Sequence, residues 1–163
     1  MGGKKMAKAL VAYFSASGVT KRLASNLAEV IGADLFEIEP REPYSSADLN
    51  WQDSNSRSSV EMKDRTCRPG IASKVEDMSK YDVIFIGFPV WWYREPSIID
   101  TFAEAYDFTG KTIIPFATSG SSGIGDSGKN IAELAKGAKV EEGRRFSASA
   151  SGEELKLWAD KWL

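Results

Sequence analysis

The chain has 163 residues, 42% of them apolar and 27% charged, with a formal net charge of −2. That size and balance suit one globular domain with a substantial core, and the slight acidity argues against a dedicated nucleic-acid binder, which carries a basic excess. No uncharged apolar run is long enough for a transmembrane helix. The absence of histidine excludes Ser-His-Asp and Cys-His catalysis and any His-ligated metal.

The lone Cys67 cannot form an internal disulfide, which fits a reducing cytoplasm as the expected location. Residues 1–7 read as a flexible or expression-derived start, and 8–163 as a single domain.

Ala9 to Phe14 is an apolar strand, followed by the small residues Ser15, Ala16, Ser17 and Gly18. Val19, Leu23, Leu27, Val30 and Ile31 then recur at helical spacing, predicting an amphipathic helix over 19–31 with Gly32 as C-cap. Asp34 to Glu39 alternates charge with Phe36 and Ile38, as a half-exposed edge strand does, and Pro40 and Pro43 end it. Residues 44–70 are polar and Ser-rich. Ser46 to Met62 could carry a surface helix anchored by Leu49, Trp51 and Met62; the alternative is an ordered excursion without chemistry. Ile71, Val75, Met78 and Tyr81 resume a helical stripe.

Val83 to Phe88 is a continuous apolar run, the mark of a central parallel strand covered on both faces. An aromatic loop over 89–96 follows, then a helix capped by Ser97 with Ile98, Ile99, Phe102 and Tyr106 inward. Thr112 to Thr118 is another buried strand, in which Pro115 implies a local irregularity. A Ser/Gly loop over 119–128 leads to a short helix around Asn130–Ala135. Residues 139–148 read as the other edge strand, and Ser151…Glu154 is a capping box for a last helix bearing Leu155, Trp158 and Trp162. Five strands alternating with helices, with mixed patterns in the second and fifth, predict a three-layer, doubly wound α/β domain with a parallel sheet in the order 2-1-3-4-5.

In such a sheet ligands bind beyond the carboxyl ends of the strands, where the strand order reverses. The loops there are 15–20, 89–95 and 118–125. The first is an anion site, because the leading N–H groups of a helix lack internal partners and the dipole is positive there. The second offers consecutive aromatics and the third backbone donors. Together they suit a phosphorylated, flat, aromatic ligand.

Ser15-x-Ser17-Gly18-x-Thr20 is similar to the flavodoxin phosphate loop, and Phe88 to Tyr93 and Ala117 to Gly123 look like the second and third loops of that family. The resemblance spans Lys8 to Leu163, at short-chain length, and implies non-covalent FMN. It implies Ser15, Ser17, Gly18, Val19 and Thr20 at the phosphate, Pro89, Val90, Trp91, Trp92 and Tyr93 framing the isoalloxazine, and Thr118, Ser119, Gly120 and Gly123 on the other side. No residue is assigned to catalysis or to a metal. The family's carrier role implies electron transfer to redox partner proteins.

Three features differ from a dedicated carrier. The third loop has no aromatic, the net charge gives little steering of basic partners, and the second loop lacks the usual glycine. An open flavin face would admit a flat acceptor such as a quinone or nicotinamide, so an FMN-dependent NAD(P)H:quinone-type oxidoreductase is the competing expectation. A flavin-free binding protein is the third.

Gly123-Ile-Gly-Asp-Ser-Gly128 is a literal G-x-G-x-x-G, but it follows the fourth strand, whereas a dinucleotide fingerprint opens the first β-α unit. A phosphatase loop would need a cysteine nucleophile that 15–20 lacks. One of Trp91 and Trp92 is expected to pack and the other to meet ligand. Trp158 and Trp162 are expected in the core, Arg94 and Glu95 as a solvated pair, and Cys67 as structural or incidental. Oligomeric state is not specified.

Overall fold

The elements read in chain order close into a three-layer α/β domain in the structure, a computed structural model that describes residues 8–119 and 123–163. The expected free start at 1–7 lies outside the described residues, as does Gly120. β1 (Ala9–Tyr13), β2 (Asp34–Glu37), β3 (Val83–Pro89), β4 (Thr112–Thr118), β5 (Lys139–Val140) and β6 (Arg144–Phe146) form one parallel sheet. Its order is β2-β1-β3-β4-β5, with β6 also paired to β4. The helices are α1 (Val19–Ile31), α2 (Arg57–Lys63), α3 (Ser97–Ala105), α4 (Ser127–Leu134) and α5 (Gly152–Ala159).

Successive strand side chains point to opposite faces. Leu10, Ala12 and Phe14 therefore join one core with α3 and α4, while Ala9, Val11 and Tyr13 join the other with α1 and α5. On the α5 side Trp158 packs against Phe85, Phe116, Phe146 and Trp162, with ring centroids 5.0 Å apart at the closest, Phe146. Each such buried ring contributes about 1.5–3 kcal/mol. Trp158 is a core residue, as its spacing predicts, whereas Trp162 is half-buried and packs against that core from its rim.

The edge strand expected over 139–148 is split in two. Its register runs to Ile113↔Val140 and resumes at Phe116↔Arg144, so the gap faces Ile114 and Pro115. Proline has no N–H to give to the ladder. The chain passes Pro115 so closely that a Cβ on Gly143 would stand 2.2 Å from its carbonyl oxygen.

Other expectations are corrected. The stripe Ile71–Tyr81 is not a helix: Ile71 bridges Pro40, the Val75 N–H donates to the Tyr106 hydroxyl at 2.9 Å, and only Met78–Lys80 makes a 3₁₀ turn. Its apolar residues reach the core one by one from an irregular path, which helical spacing alone cannot reveal. Ser97 does not cap α3. Pro96 holds that position, and the Ser97 hydroxyl donates to the Glu61 carbonyl at 3.2 Å. Tyr106 is the residue after α3, half-buried rather than part of its inward face, and Val19 is exposed, so the buried face of α1 starts at Thr20 and Leu23. Within 46–62 only α2 is an α-helix, and Trp51 is 69% exposed rather than an anchor.

Candidate functional site

β1, β3 and β4 lie side by side, so their carboxyl-end loops converge where the strand order turns. Four contacts join the loops. The hydroxyls of Thr20 and Thr118, both buried, are 2.7 Å apart. The Val90 N–H donates to the Thr118 carbonyl at 3.1 Å. The Trp91 ring meets Phe14 edge-on at 5.5 Å. Gly125, at φ 61, comes so near the second loop that a Cβ there would lie 2.5 Å from the Tyr93 oxygen.

In the first loop Gly18 takes φ 93 as the N-cap of α1, a left-handed conformation that glycine adopts without penalty. Its N–H donates to the Ser15 hydroxyl at 3.0 Å, which leaves the Ser15 O–H to donate outward. The first intrahelical bond is Arg22 N–H to the Gly18 carbonyl, so the N–H groups of Val19, Thr20 and Lys21 have no helical acceptor. The first turn carries no acidic residue; Lys21 and Arg22 stand there, exposed. This positive helix end is left for an incoming anion. Ser17 and Val19 are exposed beside it, whereas Thr20 turns inward.

The second loop is a two-residue turn closed by both bonds between Trp91 and Arg94, 3.0 and 3.1 Å. Trp92 and Tyr93 hold φ 48 and 64, the pattern of a type I′ turn, at a cost of about 1–2 kcal/mol each for residues with a Cβ. The turn presents them to solvent, 41% and 78% exposed. Trp91 instead wedges between Phe14 and Tyr44, so one tryptophan packs and its neighbour is free to meet a ligand. Pro89 and Val90 are half-buried at the strand end.

A buried polar cluster holds this strained turn. Arg94 and Glu95, expected as a solvated pair, are buried, Glu95 completely. The Arg94 guanidinium faces Glu95 at 3.5 Å and Asp100 at 3.4 Å, and donates to the Met62 carbonyl at 3.3 Å. The Asn130 amide donates to Glu95 at 3.1 Å. One cation between two carboxylates leaves excess negative charge. Burial, with the hydrogen bond and charge of Glu95 adding to it and Arg94 opposing, pushes the Asp100 carboxyl up to about 8.

In the third loop the Ser119 carbonyl accepts from the Arg145 guanidinium at 2.8 Å, and its hydroxyl at 3.3 Å. Gly123 is exposed, and a Cβ there would meet nothing within 4 Å among the described residues, outside which Gly120 falls. Arg145 on β6 was not legible as a site residue, and neither was the 44–63 segment. Tyr44 packs on Phe14 and Trp91, and its hydroxyl donates to Glu61, which also pairs with Arg57 at 2.9 Å. The segment is thus fastened to the second loop.

The donor set suits a phosphate monoester carrying a flat ring system: uncommitted helix N–H groups, serine hydroxyls and flanking cations at one end, and exposed aromatics at the other. Among the described residues no cluster of acidic or thiol side chains suits a metal ion, and no helix is long and apolar enough to cross a membrane.

A family profile described as Flavodoxin matches residues 8–162. A solved structure from Bacteroides eggerthii, named as a flavoprotein, shares 46% identity over 96% of this chain and 98% of its own, with a TM-score of 0.90. Another from Bacteroides uniformis shares 48% over 96% and 99%, at 0.88. A Lactobacillus acidophilus flavoprotein solved in complex with FMN shares 24% over 96% and 99%, at 0.68, a likeness of fold. No functionally curated protein matches.

Proposed function

The chain belongs to the flavodoxin family, and from that premise we propose that it binds FMN non-covalently and acts in cytoplasmic electron transfer, passing electrons to a redox partner protein or a small flat acceptor. The observation that carries this reading is the convergence of a helix N-terminus free of acidic residues with an exposed aromatic turn at the strand-order reversal. Bound FMN supplies the redox chemistry.

The chain's own residues do the rest. Ser15, Ser17 and the N–H groups of Val19 and Thr20 bind the phosphate, with Gly18 letting the backbone come close. Thr20 acts through its backbone, because its hydroxyl is engaged with Thr118. Trp92 and Tyr93 frame the ring, held by Arg94 and Glu95. Ser119, fixed by Arg145, and Gly123 line the opposite side.

One observation favours a second reading, an FMN-dependent NAD(P)H:quinone-type oxidoreductase. Ser119 to Gly128 contains no aromatic residue, so nothing from that loop stacks over the ring. Flavin absorbance of the purified protein after addition of FMN tests the main reading, and a protein that takes up none overturns it. Turnover of NADPH with a quinone, in the absence of any reductase, favours the second.

A further inference from the structure

A cleft of about 350 Å³ opens between the 65–68 stretch, α3 and α4, within the size range of small-molecule sites. Arg65, Arg68, Asp100, Asn130, Glu133 and Leu134 wall it, and none of the described residues assigned to FMN lines it. Two of these residues are buried and carry an oxygen without a partner. Asp100 is 2% exposed; its Oδ2 faces Arg94, and its Oδ1 has no hydrogen bond. Asn130 is 8% exposed; its amide N–H donates to Glu95, while its amide oxygen accepts from no described group. Beside them one guanidinium serves two carboxylates, so the base of the cleft is short of positive charge. The raised Asp100 carboxyl reflects the same deficit, keeping a proton where a cation is missing. The rim offers both signs. Arg68 is committed, to Glu104 at 2.6 Å and to the carbonyls of Arg65 and Cys67 at 2.9 and 2.8 Å. The exposed Arg65 guanidinium and Glu133 carboxylate pair with no described group, and they share the cleft without forming an ion pair.

We infer that this cleft binds a small amino-acid zwitterion, its ammonium held by the Asn130 amide oxygen, Asp100 and Glu133, and its carboxylate by Arg65. An ammonium supplies the cation that the base lacks and brings three N–H donors to oxygens that have none. A guanidinium meets a carboxylate through parallel, charge-assisted hydrogen bonds. Leu134 is the one apolar wall, half-buried, and suits an aliphatic side chain. A bare cation would face Arg65 and Arg68 with no anion of its own to offset them, and a plain carboxylate would face Glu133 and the unpaired oxygens. A ligand carrying both charges satisfies every wall. Binding there requires no flavin.

The test is an NMR chemical-shift titration of the isotope-labelled protein with L-leucine, in the presence and absence of FMN. Saturable shifts are expected in both forms, centred on the backbone amides of 65–68 and α4. L-leucinamide keeps the ammonium and isocaproate keeps the carboxylate; each should bind at least about tenfold more weakly than leucine. Arg65→Gln and Glu133→Gln, both at exposed positions, should each weaken leucine about 3- to 10-fold, with FMN affinity and melting temperature unchanged. Leucinamide binding as tightly as leucine would overturn the zwitterion in favour of a plain cation or a peptide N-terminus. Isocaproate binding as tightly would overturn it in favour of an anion. Unchanged leucine affinity in both variants, or no saturable shift at all, would overturn the site itself. Loss of leucine binding on FMN loading would overturn its separation from the flavin loops.

Discussion

The Thr20 hydroxyl, in the first turn of α1, lies 2.7 Å from the hydroxyl of Thr118 at the end of β4, with both residues buried. The bond joins the anion loop to the third loop across the sheet. Replacing either threonine by valine leaves its partner's hydroxyl unpaired and should cost about 1–3 kcal/mol in denaturant unfolding. The double variant removes both groups and should cost less than the two single changes together. Additive losses in this double-mutant cycle would mean that the hydroxyls do not stabilise one another.

Ser15 accepts from the Gly18 N–H and so shapes the anion loop. Ser15→Ala should reduce the preference for FMN over riboflavin by about 3- to 10-fold, because only FMN carries the phosphate that this loop meets. Parallel titrations with the two flavins give that ratio. An unchanged ratio would remove Ser15 from the phosphate site.

Gly18 and Gly125 both have positive φ but differ in surroundings. A Cβ on Gly18 meets nothing within 4 Å, whereas one on Gly125 would lie 2.5 Å from the Tyr93 oxygen. Gly18→Ala should cost only backbone strain, about 1–2 kcal/mol. Gly125→Ala should cost more and displace the aromatic turn, raising the exposure of Trp92 to a fluorescence quencher. Equal costs would contradict the close approach of the second and third loops.

The Asp100 carboxyl, held at about 8 in the fold against an ordinary 3.8, makes stability depend on pH. Because the folded value is the higher one, its contribution is full below the unfolded value and is lost as pH rises through the folded one. The protein should therefore lose stability between about pH 4 and 8 through this group. Asp100→Asn keeps the shape without the charge, so it should melt like the parent at pH 4 and above it at pH 9, by about 2–4 °C for each kcal/mol recovered. Parallel melting curves across that range would show that the parent ionises Asp100 without penalty.

The helix Val19–Ile31 is legible to the residue because its signals are local: an apolar stripe, a glycine before it and Gly32 after it at φ 68. The sheet order is legible because β1, β3 and β4, covered on both faces, read as unbroken apolar runs, and the split edge is foreshadowed by Pro115. Arg94 and Glu95 were misread for the opposite reason. Their burial depends on Met62, Asp100 and Asn130, none of them next to the turn in sequence. Trp51 and Ser58 show the same limit: one apolar residue lies open and one polar residue lies buried, each decided by how 44–63 folds over the second loop.

The most direct measurement is titration of flavin-free protein with FMN, followed by the visible flavin absorbance, with riboflavin in parallel. Saturation at one FMN per chain, with at least about tenfold weaker binding of riboflavin, is the predicted result for a phosphate-anchored flavin. A protein that takes up no FMN, or that binds both flavins equally well, would contradict the assignment of the Ser15–Thr20 loop.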